Sequence, residues 1–251
     1  MKKLKKKIAE FINGQANASD VFYEQSKNIS FEDSVEVIPQ EWITIHFKTY
    51  PRMPKIVLEK ALSKKIKSLS SRRSTRLFIK KDISFKLLSS LIYTVAGLIF
   101  EPKDMDDSRR SYPSAGARYP LEVYLIPLGV KSLKQGLYHY NVKENALEAL
   151  LIEDMGEWVL ACTGNEKWIL DANFLIIITG IPDRSRIKYG DREFRYMLIE
   201  AGHLSQNICL LATELGLRSC PIGGFIESQI ISLLDIENIR EYPLYMIALG
   251  K

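Results

Sequence analysis

Cysteine, histidine and tryptophan each occur only three times in the 251 residues. Cys162, Cys209 and Cys220 form no Cys-x-x-Cys pair, and His46, His139 and His203 are scattered along the chain. A disulfide framework or a zinc site needs closer spacing, so a reducing, cytoplasmic setting is expected and metal chemistry is not. No stretch reaches the ~18 apolar residues of a membrane span, and the buried-looking run Phe174–Ile178 is only strand-sized. The lysine-rich start MKKLKKK leads into no signal-peptide core, because Ala9–Phe11 gives way to Asn13, Gly14, Gln15 and Asn17. No G-x-G-x-x-G follows a strand and no Walker A sequence occurs, which excludes the Rossmann fingerprint and P-loop chemistry.

The net charge of +5 comes from 35 basic and 30 acidic residues. Since MKKLKKK alone carries five lysines, the remainder is close to neutral and no nucleic-acid-binding face is expected. That start reads as a solvated tail. With 46% hydrophobic and 26% charged residues the chain is ordinary globular material. The patterning divides it into an N-terminal extension over 1–66, a candidate peptide- or partner-contacting segment, and a domain over 67–251.

Within the domain, Asp82 or Ser84 is placed to cap a helix carrying Phe85, Leu88, Ile92, Val95 and Ile99 at helical spacing. Glu101–Arg110 reads as a charged loop. Leu121, Val123 and Leu125 alternate with Glu122 and Tyr124 as in a strand, and Gly136–Tyr140 and Ala146–Ile152 flank an Asn141–Asn145 turn. Trp158–Cys162 reads as a short helix and Phe174–Thr179 as a fully buried strand. Arg195–Leu215 is the strongest helix, with Met197, Leu198, Ala201, Leu204, Ile208, Leu211 and Leu215 on one stripe and Gly216 as its C-cap. Phe225–Leu234 and Tyr242–Leu249 complete the pattern as a helix and a strand. Helices on a mixed, mainly antiparallel sheet make this an α+β fold.

Three segments carry chemistry. SRRSTRLF crowds Arg72, Arg73 and Arg76 around Ser74 and Thr75, just before a helical segment; guanidinium forks and hydroxyls match phosphate oxygens. In YPSAGARYP the small residues Ser114, Ala115 and Gly116 follow Pro113 and let backbone approach a planar ligand. Lys188 and Tyr189 stand side by side near Arg184, Arg186 and Arg192, a field that favours proton transfer by a Lys or Tyr of lowered pKa. Taken singly, each also fits a plainer role: a solvated basic turn, a tight connecting loop, or two surface residues at the mouth of a helix.

In this order, SRRSTRLF, PSAGARYPLEVYLI, GLYHY, IKYGDREFRYMLIEAGHLSQNICLLATELGL and PIGGF resemble the SagB-type dehydrogenases of the nitroreductase-like flavoprotein superfamily. The resemblance runs from about Ser71 to Lys251 and echoes weakly in FYEQSKNISF and HFKTYP. It implies a nitroreductase-like fold and a homodimer with FMN at the subunit interface. It also implies oxidation of thiazoline or oxazoline rings to thiazoles or oxazoles in a ribosomally made peptide, with a cyclodehydratase complex and a precursor peptide as partners. By motif, Arg72, Arg73, Ser74 and Arg76 would hold the FMN phosphate and ribityl chain. Pro113, Ser114, Ala115 and Gly116 would border the ring system, and Gly223 and Gly224 would complete the pocket. Lys188 and Tyr189 match the family's catalytic pair, with Tyr189 the preferred base and the roles exchangeable. The competing expectations are an NAD(P)H-dependent nitro or quinone reductase, a flavin dehydrogenase of another small metabolite, and a flavin-less scaffold subunit.

Overall fold

The computed structural model describes residues 17–28, 47–48, 50–58, 66–99 and 109–251; the MKKLKKK start and residues 101–108 of the charged loop lie outside them. The described elements are α1 (Ala18–Ser26), α2 (Lys67–Ser71), β1 (Ile83–Ser84), α3 (Phe85–Ala96), β2 (Leu121–Pro127), β3 (Val130–Lys131), β4 (Leu137–Asn141) and β5 (Ala146–Leu151). They continue with α4 (Gly156–Cys162), β6 (Phe174–Gly180), α5 (Asp183–Tyr189), α6 (Glu193–Glu214), β7 (Arg218–Ile222), α7 (Glu227–Leu234) and β8 (Tyr242–Gly250). Six strands form one antiparallel sheet in the order β5-β4-β2-β6-β8-β7, while β1 and β3 pair in parallel as a separate ladder. This is the expected nitroreductase-like α+β architecture. Among the described residues no helix is long and apolar enough to cross a membrane.

β6 lies at the centre of the sheet, and all its residues are buried. Its unbroken apolar run follows from having a core on each face. Phe174, Ile176 and Ile178 pack with α3 and α6, whereas Leu175 and Ile177 pack with α4 and α7. β2 is covered on both faces too. Leu121, Val123 and Leu125 enter the first core, and the alternate residues Tyr124 and Ile126 enter the second instead of facing water. Glu122 is the polar exception: burial raises its pKa, but a hydrogen bond from His139 and the Arg184 ion pair outweigh this and hold it below the usual carboxyl range.

Two helix boundaries shift from expectation. Of the two candidate caps for α3, Ser84 acts, its Oγ accepting the Leu87 N–H at 3.2 Å. The helix ends at Ala96, so Ile99 falls beyond it, beside the Leu98–Arg110 bridge. α6 keeps its predicted stripe, apart from Leu198, which stands 40% exposed because it turns about 100° away from buried Met197. Past its end, Gly216 takes φ +68°, and the Leu217 N–H reaches the Ala212 carbonyl at 2.8 Å. Part of the N-terminal extension is built into the core. On α1, Asp20 accepts from the Tyr242 hydroxyl at 2.7 Å and from Arg240 at 3.0 Å, and the Tyr23 ring stacks on Tyr242.

Asn173 staples the start of the central strand β6, where four segments meet. Its side-chain amide donates to the Lys81 and Gly129 carbonyls at 3.1 and 2.9 Å, and its Oδ1 accepts the Lys251 N–H at 3.0 Å. Its main chain bonds Leu128, Gly129 and Leu249. Replacing Asn173 with Ala would leave those side-chain partners unmatched in a buried place. The expected cost is about 2–4 kcal/mol in urea unfolding, with little change in the m-value.

Candidate active site

The Arg-rich segment follows a helix and does not lead into one. Beyond α2 the chain runs extended beside β7, where Ser74 pairs with Ser219 and the Thr75 N–H donates to the Ser219 carbonyl at 3.1 Å. This alignment, invisible in the sequence, lays SRRST against the strand that leads into Gly223 and Gly224. Arg76 lies beside the Cys220 thiol and Arg72 beside Cys209. Burial holds both thiols above their usual pKa despite these cations. Arg73 turns back on α2, donating to the Ser70 and Arg72 carbonyls. Among the described residues no carboxylate pairs with Arg72, Arg73 or Arg76. Beside them a cavity of about 210 Å³ is lined by Arg76, Trp168, Cys220, Ile222, Gly223 and Gly224, with the Arg76 guanidinium 5.6 Å above the Trp168 ring.

The small-residue segment is a 3-10 turn, Ala115–Ala117, entered by exposed Pro113. Gly116, Ala117 and Tyr119 all have positive φ, of 60°, 53° and 45°. For the two non-glycine residues that conformation costs about 1–3 kcal/mol each. The turn is held from several sides. Ser114 Oγ accepts the Tyr119 N–H at 2.9 Å, Tyr119 packs edge-on against Tyr112, and Arg110 lies over the Tyr119 ring.

Lys188 and Tyr189 close α5, a helix not expected from the sequence. The arginine field expected around them is largely turned elsewhere. Arg184 pairs with Glu122 and reaches the Tyr119 carbonyl, while Arg186 engages Asp191 and Asn17. What Lys188 and Tyr189 face is the turn. A Cβ built on Gly116 would lie 2.6 Å from Tyr189 Oη and 2.9 Å from Lys188 Nζ. Both side-chain ends therefore converge on one backbone position, where a Cβ would force them to shift. Tyr189 is half-buried and edge-on to Tyr196 at 5.0 Å, and Lys188 is exposed with its Nζ 5.6 Å from the Tyr189 ring centre.

Helix α6 links the two halves. Glu200 lies against Ser114 and Ala115, and Cys209 lies near Arg72. Nine residues at 1.5 Å each separate those contacts by about 14 Å. Sequence reasoning passed over Glu200, Tyr196 and Trp168. Of these only Glu200 left a signal, as a carboxylate set between Met197 and Leu204 on an otherwise apolar stripe.

Residues 69–251 match the family model described as the Nitroreductase family. The protein MJ1384 of Methanocaldococcus jannaschii is 32% identical over 201 residues, spanning 80% of this chain and 94% of its own. The microcin B17-processing protein McbC of Escherichia coli is 27% identical over 176 residues, covering 68% of this chain and 63% of McbC. Among solved structures, the E. coli microcin synthetase McbBCD complex with truncated pro-MccB17 bound superposes with a TM-score of 0.71 at 23% identity, over 92% of this chain and 91% of that one. At that identity the likeness is one of fold.

The convergence on Gly116 is testable against a second glycine. Gly216 also has positive φ but open space around it, so Gly216→Ala should cost only the backbone strain, about 1–2 kcal/mol. Gly116→Ala should cost about 1 kcal/mol more, because Tyr189 and Lys188 must move. In a double-mutant cycle by chemical denaturation, that excess should vanish in the Lys188→Ala/Tyr189→Ala background.

Proposed function

Because the chain belongs to the Nitroreductase family, we propose that it is an FMN-dependent dehydrogenase that oxidises thiazoline or oxazoline rings in a ribosomally made peptide. The observation that carries this reading is the meeting of Lys188 Nζ and Tyr189 Oη at the Gly116 backbone. A nitro or quinone reductase draws hydride from a nicotinamide and needs no such pair. Similarity to the microcin B17-processing protein McbC supports a peptide substrate, and the same reading includes a cyclodehydratase partner.

The residues present fit the cofactor. Arg72 and Arg76, with no carboxylate partner among the described residues, suit a phosphate, and Ser74 lies beside Arg72. Arg73 contributes charge while holding the end of α2. Ser114, Ala115 and Gly116, entered by Pro113, offer a flat backbone surface to a ring system, and Gly223 and Gly224 expose theirs beside Arg76. The 210 Å³ cavity is smaller than the roughly 300 Å³ at which ligand pockets usually begin. The reading therefore includes a second copy of the chain, which would close the site in a homodimer.

When bound, FMN supplies the hydride acceptor. The chain supplies the proton step. An azoline Cα–H is acidified by the adjacent C=N and carbonyl groups, so a modest base removes it. Tyr189 is that base as phenolate, its ring held by Tyr196 and its oxygen at Gly116. Lys188 stabilises the phenolate charge. The N-terminal extension would contact the peptide.

Tyr189→Phe and Lys188→Ala should each remain yellow and folded while losing azoline turnover by at least about 100-fold, the usual scale of general-base catalysis. Mass spectrometry of an azoline peptide, which loses two hydrogens per ring, reads this out. Full turnover in both variants would sink the assignment, and rapid bleaching of the flavin by NAD(P)H would favour the reductase. Arg72→Ala/Arg76→Ala should purify colourless, having lost phosphate contacts of about 1.5–3 kcal/mol each.

A further inference from the structure

Glu200 interrupts the buried stripe of α6 and is 2% exposed. Neither of its carboxyl oxygens closes a hydrogen bond of ordinary geometry. Such a group is costly to keep in a core, so its surroundings matter. The groups against it are the Ser114 hydroxyl, the Arg110 guanidinium and the Ala115 N–H. Tyr112, bonded to Arg110 at 2.9 Å, is the other titratable neighbour on that segment. Ser114 Oγ already accepts the Tyr119 N–H, which leaves its own proton to point elsewhere. Ser114, just before the strained turn, and Ala115, its first residue, thus present two donors towards one carboxyl group.

We infer that Glu200 is a positioning residue whose carboxylate grips Ser114 and Ala115 from beneath and so fixes Gly116 against Lys188 and Tyr189. This rests on the proposed role of that site. The grip depends on charge: a carboxylate accepts both donors, whereas the protonated acid is a poorer acceptor carrying a proton of its own. Burial pushes the carboxyl up to about 7, against the opposing pull of Ser114, Arg110 and Ala115. The sign of the linkage follows. A value raised in the fold means that protonation favours folding fully below the unfolded value of 4.5, and that this contribution is lost as pH rises through about 7. Above that pH the ionised Glu200 weakens the fold while it anchors the turn. A side chain kept only for packing would show no such opposition.

Glu200→Gln keeps the shape and removes the charge. At pH 8 the variant should melt at a higher temperature than the parent, yet amide exchange across residues 113–118 should be about tenfold faster and azoline turnover about tenfold lower. At pH 5.5, where Glu200 is protonated in the folded parent, the two proteins should coincide in exchange, and below about pH 4, where it is protonated in the unfolded chain as well, the gap in melting temperature should close. Unchanged exchange at pH 8, or a melting temperature that falls there, overturns the inference. Exchange and melting need neither flavin nor substrate. If both behave as expected while the parent protein leaves azoline peptides untouched, the positioning role stands and the substrate reading fails.

Discussion

The seating of α6 on one face of the central sheet is the constraint from which the rest of the site follows. Met197, Ala201, Leu204, Ile208 and Ala212 are all buried against β2, β6 and α3, and the larger of them contribute about 1.5–3 kcal/mol each. A helix held that firmly acts as a ruler. One end lies beside the small-residue turn at Glu200, and the Arg-rich segment approaches it about 14 Å further on, near Cys209. The turn and the Arg-rich segment are irregular in themselves. Their separation is set by an element that is not.

Polar satisfaction varies across the molecule. Asn173, at the start of β6, bonds three neighbouring segments, and Glu241 accepts from Tyr124 and Thr179. Near the site several groups are left unmatched. Glu200 has two bare oxygens, Arg72 and Arg76 lack carboxylate partners among the described residues, and Ala117 and Tyr119 hold left-handed backbone. Local rules are commonly broken where function requires it, and the Glu200 departure lies on the helix that adjoins both the turn and the Arg-rich segment.

Much of this was legible in one dimension because its causes are local. The apolar run at Phe174–Ile178 signals a strand covered on both faces, Ser84 signals a helix start, and Gly216 signals a helix end. Gly116, Lys188 and Tyr189 were recognisable as candidates from residue type and order alone. Their meeting was not, since 72 positions separate Gly116 from Lys188 and only the packing of α5 beside the turn brings them together. The arginine field misled for a related reason. Proximity in sequence placed Arg184 and Arg186 beside the pair, but ion pairs with Glu122 and Asp191 turn both away. Burial of Tyr124 and Ile126 depended on a second helical layer that β2 itself cannot reveal.

On the proposed reading, the two members of the pair differ in how firmly they are held. Tyr189 is half-buried, edge-on to Tyr196, with its hydroxyl against the Gly116 backbone. Lys188 is exposed on a flexible stem and approaches the same point through its terminal nitrogen and its Cδ. A base must hold its geometry through the proton transfer, whereas a supporting charge tolerates motion. The arrangement therefore assigns the proton to Tyr189 and the field to Lys188. Gly116 is central to that division because a side chain there would push the phenol away before the more adaptable lysine was disturbed.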